Sequence, residues 1–431
     1  MAMSSVCVTG LTFPCRMEAG RYDRRSLIAV SGERMTYQSE SAAAGRHVFP
    51  DLARSFALLG IALVNVGVFA YPMMSGYHAG GLRSGLDYAA WFLVCGFFLF
   101  KSYSIFSFMF GVGFAHQIDA AERRGVAFPG RYARRILGLL FFGALNISLL
   151  FFGDILVVYA VLGTILFFFR KAGVKTLVRW AMAVYVIQIL LSLFFTGSFW
   201  LGTTYAPEEM AKEYARIEET DARALEAFAA GGFADAAAFR IKIWMESIPF
   251  MFAMQGVGAF SFFLFGLAAV RSGLIARPEA AFWSRARRVY LPIGVALALV
   301  GAGLIVRAET FMDPLAMTGM TVTTLASPFA SAGYLGLIAK WAAGRDGPVR
   351  TFFARGGTAT LTAYLLQGLL FSLIFSAYGL GLYAKPGAAA CTLIAAAVAL
   401  FSLAFSSLWR TRFARGPLEI VLRGWTYLGA R

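Results

Sequence analysis

The sequence predicts an all-α polytopic integral membrane protein of about ten transmembrane helices. Three observations predict it. Hydrophobic residues make up 59% of the 431 residues and charged residues only 14%, which is too apolar for a soluble domain. Apolar runs of 18 or more residues recur along the chain, each long enough to cross a bilayer as a helix. These runs lack the apolar–polar alternation of a β-barrel. The net charge of +16 would suit a nucleic-acid partner, but the basic residues fall in short clusters between apolar runs. That is the positive-inside pattern of cytoplasmic loops, so the partner expected is the lipid bilayer and no nucleic acid.

Residues 1–48 are a polar leader carrying Arg21, Arg24 and Arg25. They lack the apolar core of a secretory signal, so disorder is expected there, with Met35 as an alternative start. The N-terminal membrane region, 49–197, holds about five spans, the first at 52–72. The second, 88–118, lies in a stretch of about 48 Å if helical throughout, against a hydrocarbon core of about 30 Å. We expect 87–100 to lie on or re-enter the membrane and lead into a span from Ser102, with Lys101 near the outer interface. A continuous tilted helix would instead sink Lys101 and require a carboxylate partner.

Residues 136–169 would reach about 51 Å as one helix, so two short spans, 134–151 and 154–170, are expected. Asp154 is the only charged residue between 136 and 169. In the turn "FFGD", Gly153 suits a tight bend and Asp154 can cap the next helix. Asp154 is therefore expected at the outer interface, as a cap alone or as a cap with a further role as a charge against Arg54 or Lys101. A fifth span at 176–197 completes the region.

The acidic segment 198–246 reads as two amphipathic helices over the outer mouth, interrupted at Gly231 and Gly232. The C-terminal membrane region, 247–410, contributes spans at 247–270, 289–306, 318–340, 358–378 and 388–409. Residues 411–431 read as an interfacial tail helix that starts at Pro417. With ten spans, Arg123, Arg131, Lys171, Lys175, Arg271, Arg285, Arg288, Lys340, Arg350 and the tail arginines share one side. Both termini are then cytoplasmic.

Catalytic signals are sparse. The three histidines include His78, in the loop after the first span, and His116, near the cytoplasmic end of the second. With Asp154 they are the weak candidates for acid–base work, while solvated histidines are the plainer reading. No metal-ligand spacing occurs, and the four cysteines form no C-x-x-C pair. Neither cofactor nor metal is expected. Arg54, Asn65, Lys101, Asn146, Asp154, Gln255, Thr360, Tyr364 and Gln367 are polar positions in or at the ends of spans. Each alone is interhelical glue; together they could line a polar cavity. Thr360, Tyr364 and Gln367 share one helix face. "GVGFA" reads as close helix packing.

Five stretches in order, "DLARSFALLGIALVN", "KSYSIFSFMFGVGFA", "RRILGLLFFGALNISLLFFGDILVVYAVLG", "LTAYLLQGLLFSLIF" and "GPLEIVLRGWTYLG", resemble the YeiB-like bacterial inner-membrane proteins. The resemblance covers roughly residues 50–431. It carries over the Asp-x-x-Arg start at Asp51 and Arg54, Asn65, Lys101, the turn Gly153–Asp154, and Gly416, Pro417, Leu418, Glu419 and Arg423. Departures are Ser55 where Gly is usual, Asn146 where His is usual, and Ala363 where Asn is common. The resemblance implies a transport-associated protein of the bacterial inner membrane handling a small metabolite or lipid precursor. A distant similarity to membrane acyltransferases implies the alternative, an enzyme using cytosolic acyl-CoA as co-substrate. Asn146 weighs against that alternative, since Asn is no general base. A structural or assembly role is the third reading.

Overall fold

The computed structural model describes residues 48–125, 128–310 and 313–428. The leader, Met35, His47, Cys7 and Cys15 lie outside the described residues. The elements run α1 (Val48–Ala70), α2 (Gly85–Phe97), α3 (Lys101–Glu122), α4 (Phe128–Leu149), α5 (Leu156–Phe168), α6 (Val174–Tyr205), α7 (Pro207–Leu225), α8 (Phe233–Met251) and α9 (Val257–Arg271). The second half runs α10 (Ala281–Arg285), α11 (Leu291–Arg307), α12 (Pro314–Ala342), α13 (Pro348–Gly356), α14 (Thr360–Phe375), α15 (Ala388–Arg412) and α16 (Pro417–Thr426). The fold is all-α among the described residues.

All ten expected apolar stretches are helical, but they do not make ten equal spans. Among the described residues, eight helical stretches are long and apolar enough to cross a membrane. A ninth, α13 with α14, is bent by 82°. The helix after Asp154, α5, has 13 residues, about 20 Å, too short to cross alone. The hairpin was expected because one helix was too long; its second arm is a short inserted helix.

Two further expectations need correction. The outer segment holds one separate amphipathic helix, α7. Its second half does not lie over the mouth: from Phe233 it runs straight into the sixth span, giving 39 helical residues to Arg271. The region 87–100 also differs. Residues 85–122 pass as a single candidate span, broken at Phe98–Phe100, where Phe100 takes the left-handed conformation (φ 62°). Such a break at membrane depth survives only where other protein groups satisfy the freed backbone. Here Ser327 and Ser104 donate to the Phe100 carbonyl at 3.0 and 2.6 Å, and Tyr334 donates to that of Phe97 at 3.1 Å.

Lys101 completes this repair. It is fully buried, and its Nζ donates to the Cys95 carbonyl at 3.0 Å. Lys101 is thus enclosed by protein and, among the described residues, pairs with no carboxylate. The helix break supplies a carbonyl acceptor in place of a charge.

The connections put opposite ends together. At one end, Arg271 donates to the carbonyls of Arg170 and Ala172, Arg410 Nε to Thr358 Oγ1, and Trp425 Nε1 to the Arg134 carbonyl. This is the arginine-rich end. At the other, Tyr71 donates to the Pro386 carbonyl, the Ala377 amide to that of Phe228, and the Ala388 amide to that of Gly81. Leu190, Leu193, Phe194 and Leu201 of α6 stay exposed, as a lipid-facing surface requires. Helices α3 and α9 cross closely through Gly111 and Gly266. A Cβ on either would lie 2.0 Å from a backbone oxygen of the other helix, Phe263 and Phe108 respectively, which is the packing role read from "GVGFA".

Candidate functional site

Asp154 follows Gly153 in the turn between α4 and α5. Its Oδ1 accepts the Val157 amide at 3.0 Å, so it caps α5 as the sequence predicts. It is also fully covered by protein, with an exposure of 0%, which the sequence did not show. The second oxygen, Oδ2, accepts from Asn146 Nδ2 at 2.7 Å. Gly143 makes room for this on α4: a Cβ there would lie 2.8 Å from Asp154 Oδ1.

Burying an ionised carboxylate is costly unless it is paired or hydrogen-bonded. Among the described residues Asp154 has hydrogen bonds but no cation. Arg54 pairs instead with Asp51 at 3.0 Å, and Lys101 binds the Cys95 carbonyl. Neither supplies the countercharge that the sequence suggested.

Asp154 faces a chamber of about 60 Å³, walled by α1, α3, α5, α14 and the α8–α9 junction. Its polar lining comprises Asn65, Tyr103, Asp154, Tyr159, Gln255 and Tyr364. A cavity needs about 10–15 Å³ to admit one water, so this one has room for a few. Tyr364 is buried, and among the described residues its hydroxyl lacks a hydrogen-bond partner, as does Asn146 Oδ1. Tyr159 is held by Ser107 at 2.5 Å. Gln255 is exposed, while Asn65 and Tyr103 are half-buried, so the chamber opens on that side.

The Gln255 wall has a local cause. Pro249 lies inside α8, and the chain widens into a π-helical turn over Phe252–Gly256, with the Val257 amide donating to the Phe252 carbonyl. Proline removes a helix donor and crowds the preceding turn. A π turn inside a long helix often marks a functional site. Met251, Gln255 and Ala259, four residues apart, line the chamber.

Residues 269–429 match the family model described as "Protein of unknown function (DUF418)". Over 394 residues the chain is 31% identical to "Uncharacterized protein YxaH" of Bacillus subtilis (strain 168), covering 88% of this chain and 93% of that protein. It is 25% identical over 393 residues to "Uncharacterized protein YeiB" of Escherichia coli (strain K12), covering 89% and 97%. The chain belongs to the YeiB-like DUF418 family. No solved structure matches it.

Apart from Lys101 at the helix break, the YeiB-like motif residues fall in two places. Asn65, Gly153 and Asp154 meet at the chamber. Asp51 and Arg54 lie eleven or more residues away along α1, toward the arginine-rich end, and Glu419 also lies there. Glu419 accepts the Leu361 and Thr362 amides at 2.7 and 3.2 Å, capping α14 from the tail helix. In the same helix Leu422 and Thr426 are buried, while Ile420, Val421 and Trp425, with Leu428 just after it, are exposed. Asn146, the departure from the family's usual His, is the residue that holds Asp154.

The remaining predicted residues scatter. Gln367 is buried and donates to the Leu58 carbonyl at 3.4 Å, and Thr360 starts α14 without lining the chamber. His116 is exposed, toward the arginine-rich end of α3. His78 lies in the loop after α1, where burial pushes its pKa below the usual histidine value against an opposing pull from Asp313. Neither histidine lines the chamber. Cys95 and Cys391 are buried free thiols.

Tyr103, Tyr159 and Arg240 escaped the sequence reading. Arg240 counts there as an outer-loop charge, yet it is 2% exposed. It donates to Tyr378 Oη at 2.6 Å, to Ser372 Oγ at 3.0 Å and to the Leu149 carbonyl at 3.2 Å. The available signals were Tyr159 one helical turn past the capped turn, and Pro249 six residues before Gln255.

Proposed function

We propose that the protein is a transport-associated component of the bacterial cytoplasmic membrane, with the Asp154 chamber receiving one polar or cationic group of a small metabolite or lipid precursor. One observation carries this reading: a fully buried carboxylate with no cation among the described residues faces a polar chamber beside two interrupted helices. Intramembrane carboxylates facing a cavity mark substrate or ion routes. Discontinuous helices at such sites are the habit of secondary transporters, a likeness at the level of fold physics only. The chamber admits a headgroup and not a whole metabolite, so substrate entry requires its walls to part at the Gln255 side. The positive-inside pattern supports a cytoplasmic arginine-rich end and, with it, cytoplasmic termini.

Acyl transfer from cytosolic acyl-CoA has less support. It needs an activated nucleophile or a base, and beside Asp154 and three tyrosines the lining offers no His, Cys, Ser or Lys.

The test uses purified full-length protein in liposomes and a panel of labelled small metabolites and lipid precursors. Uptake of at least one is expected. Asp154→Asn should abolish it while melting within a few degrees of the wild type. Failure of every panel member, together with acyl transfer from labelled acyl-CoA, would overturn this reading in favour of the enzyme.

A further inference from the structure

A second cavity lies between α3, α6, α9, α10 and α12. It encloses about 310 Å³, five times the Asp154 chamber, and its surface is almost entirely carbon. Phe108, Val178, Phe265, Phe282, Trp283 and Leu335 are among its lining residues. The volume sits at the lower end of the range for small-molecule sites. Ser272 and Leu274, from the loop between α9 and α10, line its end toward the arginine-rich side of the bundle.

The two segments that flank the slot are strongly basic, although Asp119 and Glu122 at the end of α3 face Arg271. Residues 170–180 carry Arg170, Lys171, Lys175 and Arg179 with no acidic residue, and 271–288 carry five arginines against Glu279 alone. Lys175 precedes the lining residue Val178 by three positions, and Arg285 follows the lining residue Phe282 by three. In a helix, that spacing puts each cation on the same face as its apolar neighbour. Both cations are exposed and have no ion pair or hydrogen bond among the described residues. Arg277 folds its guanidinium onto the Ser272 and Gly273 carbonyls at 2.8 and 3.2 Å. The mouth is therefore an apolar slot below free cations. This is the complement of an amphiphile with a hydrocarbon tail and an anionic head.

We propose that this cavity is a binding site for an anionic phospholipid, one acyl chain in the slot and the phosphate between Lys175 and Arg285. The tail gains by leaving the mobile bilayer for fixed aromatic walls, and the head gains by neutralising basic residues at the membrane surface. The site is separate from the Asp154 chamber: Tyr103 lines the chamber and Ser104 the slot, on different faces of α3.

The test is native mass spectrometry of the full-length protein released from nanodiscs of equal phosphatidylglycerol and phosphatidylethanolamine. Wild type should retain phosphatidylglycerol in preference. Lys175→Gln with Arg285→Gln should cut that preference by about fivefold for each charge removed. Val178→Trp, at an exposed rim position, should reduce retention of both lipids. Thermal melting checks each variant's fold; the charge variant is confined to the surface, so it carries the test should the tryptophan fail to fold. Equal retention of the two lipids by the wild type would overturn the proposal. So would an unchanged preference in the charge variant, or a dimer whose interface covers the slot and leaves it free of lipid.

Discussion

The two cavities lie back to back against α3 and differ in every physical respect. The chamber is small, polar and built around a carboxylate; the slot is about five times larger and lined by carbon. Adjacent residues, Tyr103 and Ser104, separate them because a helix turns about 100° per residue. The comparison teaches that polarity inside a membrane bundle is sorted by helix face, not by sequence neighbourhood. The chamber's polar atoms must be satisfied by one another, by water or by a substrate, so its geometry matters. The slot asks only for volume, so small changes there cost little.

The largest effect expected on the chamber side comes from Asp154→Leu. It removes the α5 cap and strands the Asn146 amide, a loss of about 2–4 kcal/mol, read as thermal stability in detergent. Asp154→Asn keeps the cap, and Asn146 can turn its amide oxygen toward the new donor, so about 1 kcal/mol or less is expected. An Asp154→Asn protein as unstable as Asp154→Leu would show that the charge itself holds the fold. Neither change should alter phospholipid retention at the slot.

Gly143→Ala comes next. Its Cβ would meet Asp154 Oδ1 at 2.8 Å and the Val157 amide nitrogen at 2.9 Å, and overpacking of this kind costs about 1–3 kcal/mol. Because the clash falls on the cap, the transport proposed for the chamber should fall more than stability. A variant that melts like wild type and transports normally would mean that the turn has slack the chamber does not show.

A third effect concerns the lid-like helix α7. Asp221 is buried against the loop after α1, accepting from the Ser75 hydroxyl and, at 3.1 Å, from its amide. Burial raises its pKa above the usual aspartate value, outweighing the Ser75 hydrogen bonds, which lower it. A carboxyl raised on folding contributes stability that is fully present below its unfolded pKa, about 3.9, and is lost as pH rises through the folded value. Asp221→Asn should therefore flatten the pH dependence of melting just above pH 4 and be at least as stable as wild type at pH 7. A pH profile identical to wild type would remove Asp221 from that role.

The smallest effect belongs to the solvated side of the same helix. Lys212 pairs with Glu209 at 2.6 Å and Arg223 with Glu219 at 2.5 Å, all largely exposed. Lys212→Ala should change stability by about 0.5 kcal/mol or less, and a larger loss would mean that this face is covered in the membrane.

Composition and run length by themselves determined the all-α membrane class, the ten helical stretches, the turn at Gly153 and the capping role of Asp154. These follow from local chemistry: apolar length, a small residue at a bend, an oxygen placed to accept an amide three residues on. Only the tertiary structure decided that Asp154 is buried, that Lys101 answers a broken helix and not a carboxylate, and that Arg240 lies inside the bundle. Depth was illegible because hydropathy reports the side chain and not its neighbours. A charged residue in an apolar run reads as interfacial until the helices that cover it are in place. The break at Phe100 carries no glycine or proline to announce it. It persists because Ser327 and Tyr334, more than 200 residues later, supply donors to the freed carbonyls. That satisfaction is a property of the packed bundle and of no single stretch of chain.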